Sequence, residues 1–185
     1  MVKTNTCVFI SGKGTNLKKL ILNSNKYNFP IKIKLIVSSN KNAEGLKLAK
    51  KWSIPFIIFN KSQSLSEYKT LIKLKYYKIN LILLAGFMKI LSKNFIRSFG
   101  KSIVNIHPSL LPKFRGLNTF EKVLQNKEKK TGCTVHFVTE KLDEGKIILK
   151  KFFYLNKNDN VASIKKKTQN LEYNAFSEAI IKIMK

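Results

Sequence analysis

The stretch Val104–Gly116, VNIHPSLLPKFRG, contains His107, one of the chain's two histidines, and a nearby amide, Asn105. The apolar run 102–106 predicts a buried strand, which Pro108 ends at once. Residues two apart share one face of a strand, so Asn105 and His107 are expected to point the same way. An amide can donate to a developing oxyanion, and an imidazole changes charge near neutral pH. A purely structural histidine is an equal alternative from these residues alone.

A carboxylate lies in the segment 138–148, VTEKLDEGKII, where Asp143 precedes a Glu-Gly pair between two predicted strands. Asp143 and Asp159 are the only aspartates in the chain. A carboxylate beside an imidazole favours the charged ring and can take part in proton transfer. An Asp-Glu-Gly turn is also common for structural reasons alone. His136, on the strand before the turn, is predicted to be structural.

The segment 10–17, ISGKGTNL, directly follows the first predicted strand. Gly12 and Gly14 would let the backbone turn sharply and approach a ligand closely. Thr15 or Asn16 is predicted to cap the next helix, whose first N–H groups could bind a phosphate. Leu17 replaces the third glycine of a dinucleotide fingerprint, and no GK[ST] follows for a Walker P-loop. A plain strand-to-helix turn remains the alternative.

The segment 85–92, AGFMKILS, ends the most apolar predicted strand. Gly86, Phe87 and Met88 suggest an apolar wall against which a flat ring could lie. Core packing alone also explains these residues.

Alternating strands and helices predict the architecture that must position these groups. Predicted strands occupy residues 7–10, 31–37, 55–59, 80–86, 102–106, 133–138 and 146–155. Predicted helices occupy residues 17–27, 43–52, 66–77, 119–126 and 161–185. This order indicates an α/β, Rossmann-like, mostly parallel twisted sheet with helices on both faces, in a single domain over residues 1–185. Ligands of such sheets bind outside the carboxyl ends of the strands, where the four polar and apolar segments are expected to meet.

The formal charge of +26 raises the alternative of a nucleic-acid-binding protein. Arg97 and Arg115 are the only arginines among 36 basic residues, and the lysines are spread over the whole chain. Because arginine is the preferred reader of bases, this composition favours a solvated lysine surface without specific nucleic-acid binding. No segment predicts a membrane span or a secretory signal. Cys7 and Cys133 lie in apolar runs and are interpreted as buried and reduced, which predicts a cytoplasmic protein.

Five blocks carry a resemblance to one family: ISGKGTNL, LLAGFMKILS, NIHPSLLPKFRG, GCTVHFVTEKLDEGKII and LEYNAF. In colinear order over essentially the whole chain, they closely resemble the phosphoribosylglycinamide formyltransferases, which use 10-formyltetrahydrofolate in de novo purine (IMP) biosynthesis. The resemblance implies the formyltransferase fold and transfer of a formyl group from this folate to the amine of 5-phosphoribosylglycinamide. Another folate-dependent formyl-transfer enzyme, or a deformylase relative, is the alternative within the same superfamily.

The resemblance also implies roles for residues. It makes Asn105, His107 and Asp143 the catalytic trio, and it assigns Gly14, Thr15 and Asn16 to the substrate phosphate. It places Glu172 near the ribose or glycinamide end of the ribonucleotide. The implied folate-binding residues are Met88, Lys89, Ile90, Leu91, Asn105, Glu140, Lys141, Leu142 and Asp143.

The chain departs from the family pattern at a few positions. Lys89 and Leu65 stand where arginine occurs in relatives, and Lys146 stands where proline is frequent. No metal is implied, since His107 and His136 lack a local ligand motif. The resemblance implies two small molecules as partners, 5-phosphoribosylglycinamide and 10-formyltetrahydrofolate, and no membrane partner. A homodimer is possible.

Overall fold

The computed structural model describes residues 2–59 and 63–185. These residues divide into two compact units, Met1–Val104 and Asn105–Lys185, and the division falls inside one strand. The prediction of a single domain over residues 1–185 stays a prediction.

The first unit alternates strands and helices. Its elements are β1 (Thr4–Ile10), α1 (Thr15–Ser24), β2 (Ile31–Ser38), α2 (Gly45–Lys51), β3 (Phe56–Ile58), α3 (Gln63–Tyr76), β4 (Leu81–Leu84), α4 (Lys93–Phe99) and the start of β5 (Ser102–His107). Strand β1 pairs in parallel with both β2 and β4, and β2 pairs in parallel with β3. All four residues of β4 and the last five of β1 are buried, as expected for strands covered on both faces.

The second unit contains the end of β5 and the remaining elements. These are α5 (Thr119–Gln125), β6 (Lys130–Phe137), β7 (Ile147–Tyr154) and α6 (Val161–Ile183). Strand β7 runs antiparallel to β6, and helix α6 packs against both strands. Helix α6 begins at a capping box in which Asn160 accepts from the Ser163 N–H while the Ser163 hydroxyl accepts from the Asn160 N–H.

The strands form a seven-stranded, mostly parallel sheet in the order β3-β2-β1-β4-β5-β6-β7. The predicted α/β fold class and every predicted strand and helix are thereby confirmed, with boundaries that shift by a few residues. Helix α4 is an addition to the predicted elements. It is short, and it forms because Ser92 caps its first turn through the Phe95 N–H and Gly100 ends it in the left-handed region. The two cysteines are free and buried, as predicted.

Candidate active site

Strand β5 ends at His107, and it carries Asn105 and His107 on one face. The strand therefore extends one residue beyond its prediction, and both side chains keep the orientation that a strand imposes. His107 is buried and Asn105 is half-buried, so the amide is the more accessible of the two groups. The Nε2 atom of His107 lies 2.8 Å from the carbonyl oxygen of Phe114. Because a carbonyl can only accept, this ring nitrogen carries a proton and donates it.

Asp143 lies in the turn between β6 and β7, with its backbone in the left-handed region at a φ of 53°. Aspartate adopts this conformation more readily than most residues. Its Oδ2 atom accepts from the Gly116 N–H at 2.9 Å and lies 3.4 Å from Nδ1 of His107. The neighbouring Glu144 is ion-paired with Arg115. Two adjacent links therefore join the Asp143 turn to the loop that follows β5.

His136 was interpreted from the sequence as structural, and the structure places it beside the predicted trio. Its Nδ1 donates to the Phe137 carbonyl at 2.8 Å, which leaves Nε2 to accept from the Asn105 side-chain amide at 3.2 Å. The same Nε2 lies 3.5 Å from Oδ1 of Asp143. His136 lies on β6, which neighbours β5 in the sheet. The pairing of two strands that are far apart in the sequence brings its ring to Asn105.

Burial lowers the pKa of His107, although the Phe114 carbonyl and the Asp143 carboxylate act in the opposite direction. Burial alone would raise the pKa of Asp143, but contacts with His136, the Gly116 N–H and His107 outweigh it, and the pKa is lowered. Near neutral pH the resting cluster therefore holds an ionised carboxylate beside a largely neutral His107. Desolvation therefore opposes the charged ring, and the Asp143 carboxylate favours it.

The glycine loop of the first unit differs from its prediction in one respect. Gly14, not Thr15 or Asn16, is the N-cap residue of α1, and no side chain caps this helix. Thr15 and Asn16 are its first two residues. The prediction of a side-chain cap is wrong because Gly14 adopts the left-handed region, at a φ of 73°, with Gly45 packed against it. This loop leads into the N-terminus of α1, and a helix N-terminus is a favourable place for an anion.

The segment Met88–Leu91 follows β4 in the same unit. Met88 and Ile90 expose 69% and 66% of their surface, whereas Leu91 is buried. Phe87 instead packs edge-on against Phe9 and Phe59. The core-packing alternative therefore holds for Phe87, while the next residues present apolar side chains outward, as a wall for a flat ring would.

The other implied ligand-binding residues belong to the second unit. Glu172 is a buried residue of α6. Burial raises the pKa of the Cys133 thiol to about 12, and the negative charge of Glu172 adds to this effect. Glu140, Lys141 and Leu142 are exposed residues leading into the Asp143 turn. Within residues 2–59 and 63–185, no group of three His, Cys, Asp or Glu side chains is arranged to hold a metal ion. In the same part of the chain, no helix combines the length and apolarity needed to cross a membrane.

A mostly parallel sheet with an amide and an imidazole at the end of one strand, and a carboxylate beside the imidazole, is an arrangement typical of α/β enzymes. A family model described as formyl transferase matches residues 4–180. The phosphoribosylglycinamide formyltransferase of Haemophilus influenzae is 38% identical over 178 residues, covering 91% of this chain and 82% of that protein. The chain belongs to the formyl transferase family.

Two further comparisons support this assignment. The crystal structure of phosphoribosylglycinamide formyltransferase from Brucella melitensis superposes with a TM-score of 0.93 at 34% identity, covering 98% of this chain and 96% of that one. The trifunctional purine biosynthetic protein adenosine-3 of Gallus gallus is 38% identical over 182 residues, 96% of this chain. This chain spans only 18% of the length of that relative.

Proposed function

We propose that the protein transfers the formyl group of 10-formyltetrahydrofolate to the amine of 5-phosphoribosylglycinamide. The contact between His107 and Asp143 is the observation that supports this proposal most strongly. His107 shares strand β5 with Asn105. Together the three residues supply an amide donor, an imidazole and an ionised carboxylate, which acyl transfer to an amine requires. The relatives from Haemophilus influenzae and Brucella melitensis are phosphoribosylglycinamide formyltransferases, which supports this choice of substrate.

Asn105 is proposed to stabilise negative charge on the formyl oxygen. Its side-chain amide has two N–H groups, and the contact with His136 uses one of them. The second can donate to the oxyanion that develops as the amine attacks. One donor of this kind contributes about 2.7–4 kcal/mol to the transition state. The 3.2 Å contact with Nε2 of His136 holds the amide in this orientation.

Asp143 and His107 are proposed to move the proton. The attacking amine forms a bond to the formyl carbon and loses a proton, while the bond to the folate nitrogen breaks and that nitrogen gains one. The ionised Asp143 carboxylate can take up the proton and return it through water. Nδ1 of His107 lies 3.4 Å from the Asp143 carboxylate. A proton that reaches Nδ1 during the transfer would form an imidazolium, which this carboxylate would stabilise.

The first unit is proposed to hold the ends of the substrates that do not react. The backbone N–H groups of Gly14, Thr15 and Asn16 would bind the phosphate, and the outward-facing Met88 and Ile90 would contact the folate ring. Lys89 would lie beside that ring, and Leu91 would anchor the segment in the core. In the second unit, Glu172 would face the ribose or glycinamide. Glu140, Lys141 and Leu142 would contact the folate.

Formyl transfer by the purified protein tests this proposal. Each substrate is omitted in turn, and formylated ribonucleotide and free formate are both quantified. We expect formylated ribonucleotide only when both substrates are present. Release of formate without the ribonucleotide would indicate a deformylase instead. The cytoplasmic location and the oligomeric state stay predictions.

A further inference from the structure

The hydroxyl of Ser11 bridges two loops of the first unit. Ser11 directly follows β1 and is 9% exposed. Its Oγ lies 2.8 Å from the backbone nitrogen of Met88 and 2.6 Å from Oγ of Ser39.

The chemistry of these atoms fixes the direction of one of the two bonds. The Met88 backbone nitrogen can only donate, so Ser11 Oγ accepts from it. In the bond between Ser11 and Ser39, either hydroxyl can be the donor. Ser39 is itself held by a 3.1 Å bond from its backbone N–H to the Ile10 carbonyl.

The segment that Ser11 holds is also fixed at its far end. Ser92 donates its backbone N–H and its hydroxyl to the buried carboxylate of Glu67, at 2.8 Å and 2.5 Å. Between these anchors, Met88 and Ile90 expose their side chains on a backbone that is tied down. A binding surface held in place before the ligand arrives avoids part of the ordering cost of binding.

We propose that Ser11 is a positioning residue for the folate: its hydroxyl sets the position of Met88–Leu91 from the loop that binds the substrate phosphate. This inference rests on the proposed function, because it takes the ligands of both loops from there. Ser11 directly precedes the loop of Gly12 and Gly14. Its hydroxyl therefore connects the proposed phosphate loop to Met88, the first residue of the proposed folate-binding segment. Losing it would weaken folate binding without removing any group that touches the reacting atoms.

The decisive experiment compares Ser11→Ala with two matched variants. Ser39→Ala removes the second hydroxyl but leaves Ser11 Oγ to accept from Met88. Ser24→Ala removes a buried hydroxyl of the same unit whose bond goes to Ile21 within α1. For each variant we would measure the KM of both substrates and kcat, the Kd of tetrahydrofolate by calorimetry, and the exchange rate of the Met88 amide by NMR.

We expect Ser11→Ala to raise the folate KM and the tetrahydrofolate Kd about tenfold, equal to about 1.4 kcal/mol. The Met88 amide should exchange faster, while kcat and the ribonucleotide KM stay within about twofold of the parent. Ser39→Ala should give a smaller shift and Ser24→Ala none. An unchanged tetrahydrofolate Kd in Ser11→Ala would overturn the inference, as would equal losses for both substrates.

Calorimetry keeps the two proposals separable. A parent protein that binds tetrahydrofolate and loses this binding in Ser11→Ala supports the role of Ser11 whether or not the formyl group is transferred. A parent that transfers the formyl group while Ser11→Ala binds folate normally refutes the role of Ser11 alone. A parent that binds no folate refutes both.

Discussion

Nδ1 of His107 lies 3.4 Å from Oδ2 of Asp143, and each side chain is 6% exposed. The two residues are 36 positions apart and come from a strand end and a turn. The Nε2–H of His107 is directed at the Phe114 carbonyl, so Nδ1 is the ring nitrogen that a mobile proton can reach.

Replacing Asp143 with Asn should remove most of the activity and preserve the fold. Asparagine tolerates the left-handed backbone at this position, so the turn should survive while the charge is lost. We expect a fall in kcat of at least about 100-fold, in the range of a lost general acid or base. Asp159→Asn is the matched control, because Asp159 is the other aspartate and pairs with Lys167. Activity within a few-fold of the parent in both variants, at equal stability, would exclude Asp143 from the mechanism.

The protonation of His107 should depend on Asp143. Burial places the pKa of His107 below its ordinary value near 6.5, and the nearby carboxylate partly offsets this effect. Asp143→Asn should therefore lower the pKa of His107 further, which NMR titration of its ring proton would measure. With two histidines in the chain, a His136 variant assigns both signals. A rise in this pKa on removal of the carboxylate would contradict the electrostatics described here.

The same shift fixes the sign of the stability change with pH. The folded protein binds a proton at His107 less readily than the unfolded chain does. His107 therefore contributes stability that is fully present above about pH 6.5 and is lost as the pH falls below that value. Urea unfolding of the parent and of His107→Asn between pH 5 and pH 8 checks this prediction. The difference in unfolding free energy between the two proteins should change with pH below about pH 6.5 and stay constant above that value.

His136 should matter for the rate through Asn105. His136→Leu removes the acceptor of the Asn105 amide, whose N–H can then turn away from the formyl oxygen. We expect kcat to fall about tenfold or more with smaller changes in both KM values. His136→Gln keeps an acceptor at this position and should retain more activity than His136→Leu. Equal activity in the leucine variant and the parent would return His136 to a structural role.

The glycine loop should tolerate a methyl group at one glycine and not at the other. A Cβ on Gly14 would lie 2.7 Å from the Gly45 Cα, and its backbone is left-handed, whereas a Cβ on Gly12 meets nothing within 4 Å. Gly14→Ala should lose at least about 1–2 kcal/mol of unfolding free energy from the backbone conformation alone. It should also raise the ribonucleotide KM more than the folate KM. Gly12→Ala, as the control, should unfold like the parent.

Helix α6 offers a prediction separate from catalysis. Asn160→Ala removes the side chain that accepts from the Ser163 N–H in the capping box. We expect a loss of about 1 kcal/mol in unfolding free energy, measured by urea denaturation. Activity at a temperature well below unfolding should stay close to that of the parent. A large loss of activity without a loss of stability would mean that the start of α6 has a role beyond capping.

The sequence by itself determined every strand and every helix except α4. The last four residues of β1 and all of β4 are continuous apolar runs, and a run of this kind indicates burial on both faces. The pair Asn105 and His107 was predictable because strand geometry is local: two positions apart means one face. The position of Asp143 in a turn between two strands was predictable from the local sequence, while its catalytic role came from the resemblance and stays a prediction.

Tertiary structure decided what the local pattern could not. His136 looked structural because nothing near it in the sequence indicates that its Nε2 meets Asn105, 31 positions away. The N-cap residue of α1 is Gly14, and not Thr15 or Asn16 as predicted. Gly14 has a left-handed backbone and packs against Gly45, which is distant in the sequence. The pKa of His107 also depends on the fold. Protonation depends on how much water the fold removes from the ring, and a sequence records which groups can titrate but not how deeply they are buried.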